Sequence, residues 1–337
     1  GGQEFDYVLS GSLKVRVGDH IETLHEGDSI FYKSSTPHGM IAVGGRDCKF
    51  LAMIMAGSER DQELPKELTQ ASRARRPTVA AKFIKAEEDA SGALKSIRFA
   101  NTDKFNFAFD IVDEIARRDS SKLAMLHVDN LMNVRRFTFG DMAEESNRAA
   151  NYFTSLGIGK GDKVMLVLKR HYQFWYAILG LHKIGAVAIP ATNQLMVHDF
   201  KYRFKAGDVK AIVCTGDGDT AMEAEKAEQE IGVKIIKMMA NSKREGWLSF
   251  DDGLAGSSPF YERGADAPGG NDPMLMFFTS GTTGYPKMAL HSYKYALGHY
   301  VTAKYWHQVN PDGLHLTISD TGWAKAMWGK LYGQWLC

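Results

Sequence analysis

Two rhythms of apolar and polar residues divide this chain. Near its start the apolar positions alternate: Leu13, Val15 and Val17 share one face while Lys14 and Arg16 take the other, the period of a strand buried on one side. Gly18-Asp19 separates this run from His20 to Leu24 as a hairpin turn does, and short strands with glycine turns continue to about Ile54. The alternation is lost from Ser58 to Asp103. Glu59 to Glu67 is strongly charged, Arg73, Arg75 and Arg76 precede Pro77, and Glu87, Glu88 and Asp89 follow. Acids beside arginines cancel their field, so this stretch reads as a solvated linker with one or two short helices rather than an anion site.

From Phe105 onward, helical spacing alternates with short apolar runs. Thr138 with Asp141 three residues on is a helix start, and Met142, Ala143, Ala149, Ala150, Phe153 and Leu156 keep helical spacing until Gly157 stops it. Lys163 to Leu168 reads as a buried strand, Tyr172 to Ile184 as a helix ended by Gly185, and Ala186 to Pro190 as the next strand. Lys210 to Cys214, Asp219 to Ile231 and Val233 to Met238 repeat the alternation. The expected fold is therefore α/β: a mostly parallel sheet built from right-handed βαβ units and flanked by helices, preceded by a segment of short β-strands. The expected boundaries are 1–57 for the β segment, 58–104 for the linker and 105–337 for the α/β part.

Composition narrows the function classes. With 337 residues, 44% hydrophobic and 24% charged, the chain is globular, and a formal net charge of +1 gives no electrostatic case for nucleic acid. Cys48, Cys214 and Cys337 are odd in number and far apart, which indicates neither a disulfide framework nor a zinc cluster. No apolar run reaches bilayer length and no leader pattern opens the chain, so a soluble cytoplasmic protein is expected. Nothing in the pattern sets an oligomeric state.

The most specific chemistry follows the apolar run Met274 to Phe278, in Thr279-Ser280-Gly281-Thr282-Thr283-Gly284-Tyr285-Pro286-Lys287. Gly281 and Gly284 lack a Cβ, so successive backbone N–H groups can turn toward one anion at close range. Thr279, Ser280, Thr282 and Thr283 add hydroxyl donors, and Lys287 brings a point charge suited to a polyphosphate. The Walker spacing is absent. The plain alternative is a Gly/Thr-rich surface turn after a strand. At the carboxyl end of a parallel strand, where nucleotide loops lie, Phe278 presents Thr279.

This stretch resembles the Thr-Ser-Gly-Thr-Thr-Gly-x-Pro-Lys signature of the acyl-adenylate-forming enzymes. Phe105-Asn106-Phe107-Ala108, Gly246-Trp247-Leu248-Ser249-Phe250, the run from Lys287 to Tyr293 and Thr317-Ile318-Ser319-Asp320-Thr321-Gly322-Trp323 resemble the medium-chain acyl-CoA synthetase branch. The resemblance implies ATP-dependent activation of a short- to medium-chain carboxylic acid to acyl-AMP, then thioesterification to coenzyme A, with Mg²⁺ on the triphosphate. It implies that Thr279, Ser280, Gly281, Thr282, Thr283, Gly284 and Lys287 bind phosphate, Lys287 as a binder rather than a base, and that Gly322 and Trp323 border the acyl pocket. Asp320 reads as a cap for the following helix, Trp328, Tyr332 and Trp335 as packing, and His291 as structural.

The first segment resembles the cupin pattern, through Glu4 to Gly11 and Gly27 to His38, which implies a partial β-barrel, and the segment reads as truncated because the family's paired histidines lie before its glutamate. Glu4 and His38 alone fall short of a first-row metal site, so no metal is expected and His38 reads as a rim residue. Of the synthetase pattern, the downstream Tyr-Gly-x-Thr-Glu element, the ribose aspartate and the small domain with the adenylation lysine are absent, so this polypeptide alone is expected to be catalytically deficient. The other reading is a cupin-type ligand-sensing regulator with a non-catalytic synthetase segment, although no DNA-binding helix pair is present to support it.

Overall fold

A computed structural model describes residues 2–55, 78–129, 131–279, 284–311 and 313–337. Chain contacts separate into two units, Gly1–Arg76 and Pro77–Cys337.

Among the described residues the first unit holds six antiparallel strands: β1 (Gln3–Ser10), β2 (Ser12–Val17), β3 (His20–His25), β4 (Ser29–Lys33), β5 (His38–Val43) and β6 (Lys49–Met55). They form two sheets, in the orders β4-β1-β6 and β3-β2-β5. The alternation places Val8, Leu13, Val15 and Leu24 in a small core. Val17 pairs with His20, so Gly18-Asp19 is a two-residue turn, and Gly18 at φ 60° occupies its first position, where an L side chain is disfavoured. Glu4 and His38 approach to 3.6 Å between Oε2 and Nε2. Asp6 is fully buried beside them and accepts a hydrogen bond from the Tyr32 hydroxyl at 3.1 Å; burial pushes its carboxyl above the ordinary range.

The second unit differs from expectation at its start. The predicted linker continues past the undescribed 56–77 into a β-hairpin, β7 (Ile84–Glu88) and β8 (Leu94–Phe99), between short 3₁₀ turns at Val79–Lys82 and Thr102–Lys104. The hairpin shows no alternation because only Ile84 in β7 is buried. Distant contacts hold it: Glu88 accepts from the Tyr305 hydroxyl at 2.8 Å and pairs with Lys304 at 2.5 Å. The short helix α1 (Glu114–Arg118) and a second hairpin, β9 (Leu123–Val128) with β10 (Val134–Thr138), follow.

The α/β alternation is then as expected: β11 (Lys163–Val167), β12 (Val187–Pro190), β13 (Val209–Thr215), β14 (Ile236–Ala240), β15 (Leu248–Ser249), β16 (Pro273–Thr279) and β17 (Lys287–Ser292). Their order is β15-β14-β13-β11-β12-β16-β17, parallel except for the last pair. Helices α2 (Phe139–Ser155), α3 (Gln173–Ile184), α4 (Val197–Ala206), α5 (Thr220–Ile231), α6 (Phe250–Ala255) and α7 (Tyr295–Val301) connect or cover it. The strand expected over Val233 to Met238 begins at Ile236 instead. Helix α4 was not apparent in the pattern.

Local signals account for the helix ends. Thr138 and Asp141 form the reciprocal capping box of α2, at 3.1 Å and 2.7 Å. Gly185 ends α3 in the left-handed region at φ 79°. Every residue of α3 is buried, so it is a central helix rather than an amphipathic one. It accommodates Lys183 because the ammonium donates to Asp113 Oδ1 at 2.8 Å and Asn147 Oδ1 at 2.6 Å. The fully buried Asn106 ties three segments together, its amide donating to the carbonyls of His182 at 2.8 Å and Pro268 at 2.9 Å. Among the described residues no helix is long and apolar enough to cross a membrane.

Candidate nucleotide and acyl site

The glycine-threonine loop joins β16 to β17. β16 is a buried strand at Met274 to Phe277 and pairs with the parallel β12 through Ala188 and Leu275, so Thr279 emerges at the carboxyl end of the parallel sheet. On the other side Thr279 faces Lys287, the first residue of the antiparallel β17, and its hydroxyl donates to the Lys287 carbonyl at 3.3 Å. The loop thus joins the two strands of a hairpin. Ser280, Gly281, Thr282 and Thr283 lie outside the described residues. Gly284 has φ 100°, a conformation that L residues rarely adopt, and no atom stands within 4 Å of where a Cβ would be. Lys287 is exposed, and its ammonium has no hydrogen-bond or ion-pair partner among the described residues.

A second segment lies over the same end of the sheet. Gly322 presses on the backbone just past β12: a Cβ there would stand 2.3 Å from the Thr192 nitrogen and 2.4 Å from the Ala191 carbonyl carbon. The Thr321 hydroxyl donates to the carbonyl of Lys169, just past β11. Asp320 caps this turn rather than the following helix, its Oδ1 accepting from the Gly322 N–H at 2.9 Å and its carbonyl from the Trp323 N–H at 3.2 Å. Lys330 steadies the turn from below by donating to the Ser319 carbonyl at 2.8 Å; burial, with Arg170 next, holds its amine below the ordinary lysine range. Trp323 is 63% exposed, so its indole is not part of the core. Because β12 lies beside β16, the turn and the loop occupy neighbouring positions along one edge.

Gly322→Ala is expected to displace the turn, since backbone atoms rather than a movable side chain occupy the space. Overpacking of this kind costs about 1–3 kcal/mol, measurable as a lowered melting temperature. A wild-type melt would show that the turn does not rest on β12.

The remaining sequence candidates are structural. His291 packs against Tyr295 with the rings tilted and their centroids 4.2 Å apart, and burial lowers its imidazole below the ordinary range. Tyr332 is fully buried, Trp335 packs on Phe139, and Trp328 packs on His299 and His307. A trough of about 600 Å³ between β10, α2, α3 and α6 is lined by none of the loop or turn residues. No group of three His, Cys, Asp or Glu among the described residues could hold a metal ion.

The residue that sequence reasoning missed is Tyr202, on α4. Its hydroxyl donates to the Pro286 carbonyl at 2.8 Å, and its ring stacks on Tyr285 at 4.8 Å. The available signal was weak: Phe200 and Phe204 at helical spacing, with Asp199 accepting from the Met196 N–H at 3.1 Å at the helix start.

Comparison with known proteins gives the class to which this fold and edge belong. Residues 112–333 match the family described as AMP-binding enzyme, and residues 1–54 match the cupin domain. The chain belongs to the AMP-binding enzyme family, with a cupin segment before it. It is similar to the mitochondrial acyl-coenzyme A synthetase ACSM4 of Homo sapiens, at 30% identity over 69% of this chain and 41% of that protein. It is also similar to 4-hydroxybutyrate–CoA ligase 1 of Metallosphaera sedula, at 32% identity over 69% of this chain and 40% of that protein. A solved acyl-CoA synthetase of Brucella canis shares the fold, with TM-score 0.62 and 23% identity over 70% of this chain and 42% of that one. The anthranilate CoA ligase AuaEII, solved with anthranoyl-AMP, does so with TM-score 0.60 and 20% identity, over 69% of this chain and 43% of that one. The chain spans about two fifths of the length of the curated relatives it matches.

Proposed function

We propose that this protein carries the nucleotide and acyl edge of an acyl-CoA synthetase, an AMP-forming acid–thiol ligase acting on a short- to medium-chain carboxylic acid. The supporting observation is the placement of the loop's described ends: the hydroxyl of Thr279 and an exposed Lys287, with no partner among the described residues, stand at the carboxyl end of β16, while the Gly322 turn rests just past the neighbouring β12. A carboxylate is a poor electrophile, because resonance and charge protect it. In the proposed reaction its oxygen attacks the α-phosphorus of ATP, the bond to the bridging oxygen breaks, and pyrophosphate leaves. The thiol of coenzyme A, giving up its proton, then attacks the acyl carbon and expels AMP.

In this reading Thr279, Ser280, Gly281, Thr282, Thr283, Gly284 and Lys287 offset the charge of the β- and γ-phosphates, so that one anion can approach another. Mg²⁺ on the triphosphate would supply further charge neutralisation, with the loop's donors and Lys287 holding the phosphates beside it. Gly322 and Trp323 border the acyl chain, the flat indole forming one wall. We assign residues 1–57 as a partial cupin domain and 105–337 as the amino-terminal part of the synthetase domain. The free thiols Cys48, Cys214 and Cys337 fit a reducing compartment such as the cytoplasm.

The test is acid-dependent exchange of labelled pyrophosphate into ATP by the complete gene product, across acids from acetate to decanoate and benzoate. Absence of exchange with every acid, from a folded protein, would remove the ligase reading. Trp323→Ala is expected to reorder the acids, with the preferred chain losing about 3- to 30-fold in kcat/KM, the worth of one apolar contact wall. An unchanged ranking would take Trp323 out of the pocket.

A further inference from the structure

Tyr202 touches both stems of the loop between Thr279 and Lys287. At the entry stem its ring meets Phe278 edge to face, at 6.0 Å between centroids. At the exit stem it stacks on Tyr285 at 4.8 Å and 20°, and its hydroxyl donates to the Pro286 carbonyl at 2.8 Å. The neighbouring Arg203 reinforces the entry side. Its guanidinium lies 5.3 Å from the Phe278 ring and is held by Asp199 at 3.1 Å.

Ordinary packing does not account for this arrangement. Tyr285 is 72% exposed, so stacking on it removes little apolar surface from water. Pro286 has no N–H to offer the ladder, so the last loop residue before β17 cannot be fixed by a strand hydrogen bond through its nitrogen. Its carbonyl is fixed instead, and by a side chain from another element.

We propose that Tyr202 is a positioning residue for the ATP-dependent step: from outside the loop it clamps the entry and exit stems at Phe278 and Tyr285-Pro286, so that Thr279 and Lys287 meet the triphosphate at a set spacing. The proposal rests on the reading of the loop as the phosphate site. Fixing both stems before the ligand arrives lowers the ordering cost of binding, and that cost falls on nucleotide affinity rather than on the chemical step or on the acid. Tyr202→Phe keeps both ring contacts and removes only the hydroxyl bond; Tyr202→Leu removes the stack as well.

The experiment measures kcat, the KM for MgATP and the KM for the acid in the complete gene product, for both Tyr202 variants and for Lys287→Ala. Tyr202→Phe should raise the MgATP KM about 2- to 10-fold, as the loss of one hydrogen bond does. Tyr202→Leu should raise it further, while kcat and the acid KM stay within about twofold and the Tyr202→Phe melting temperature stays close to wild type. If both Tyr202 variants keep the wild-type MgATP KM while Lys287→Ala loses exchange, the clamp is wrong and the loop reading stands. A rise in both KM values together with a lowered melting temperature makes Tyr202 merely structural and also overturns the clamp. Wild-type exchange in Lys287→Ala removes the phosphate loop, and the clamp with it.

Discussion

Lys287→Ala is expected to lower acid-dependent pyrophosphate exchange by about 100- to 1000-fold, the cost of deleting one donor aimed at developing charge. The effect should be confined to activity. Lys287 begins β17, where its backbone is held by pairing with Thr279, but its side chain is exposed and has no partner among the described residues. Truncating an exposed, unpaired side chain changes stability by no more than about 0.5 kcal/mol. Lys287→Arg keeps the charge but replaces a compact ammonium with a planar fork, and should recover only part of the rate. Exchange kinetics beside a thermal melt decide the matter. Loss of exchange with an unchanged melt supports the phosphate role, whereas parallel loss of both marks Lys287 as structural.

The largest stability effect is expected at the buried ion pair. Lys183 has a side-chain exposure of zero, and its ammonium reaches Asp113 at 2.8 Å. Asn147 accepts at 2.6 Å and the Ala143 carbonyl lies at 3.5 Å, so the neighbouring neutral groups are already engaged. Asp113→Ala leaves a charge facing only dipoles and should cost about 3–5 kcal/mol. For a unit of this size that is a fall in melting temperature of roughly 10 °C. Burial holds the Lys183 amine below the ordinary range, an effect that Asp113 partly offsets. Removing Asp113 lowers it further. The unfolded chain then binds the extra proton over the window between the depressed folded value and the ordinary lysine value, so the variant should regain stability as pH rises through that window. The double variant Asp113→Ala/Lys183→Met should recover most of the loss. A single variant within about 1 kcal/mol of wild type, at all pH values, would mean that Lys183 is not charged in the folded protein.

What the sequence made legible was local. The Thr138–Asp141 box, the Gly185 stop, the Gly18-Asp19 turn and the buried strands each depend on residues a few positions apart, and each lies where its chemistry required. That the sheet is mostly parallel follows from the same alternation, although its strand order and the antiparallel β17 do not. The contacts that stayed hidden are long-range. Lys183 in the last turn of a helix reads as a solvated C-terminal charge until its partner 70 positions upstream is seen. Tyr202 is off the apolar stripe of Phe200 and Phe204, and its partner lies 84 positions away. The β7–β8 hairpin shows almost no burial pattern, because Lys304 and Tyr305 hold it from the far end of the chain. In the loop, residue types named the chemistry, but the path between Thr279 and Gly284 is not among the described residues.

The amide of Asn106 bears on the time order of assembly. Its two acceptors are the carbonyls of His182 and Pro268, 76 and 162 positions later. During synthesis, a ribosome that has just passed α3 has supplied only the first of them. Until Pro268 has also emerged, the amide cannot have its native partners, and its dehydration is not yet compensated. The segment at 105–113, which also carries the counter-charge for Lys183, can therefore reach its full set of native partners only once most of the second unit has been translated. A short Phe-Asn-Phe-Ala signature near the start of the second unit thus acts as its closing latch.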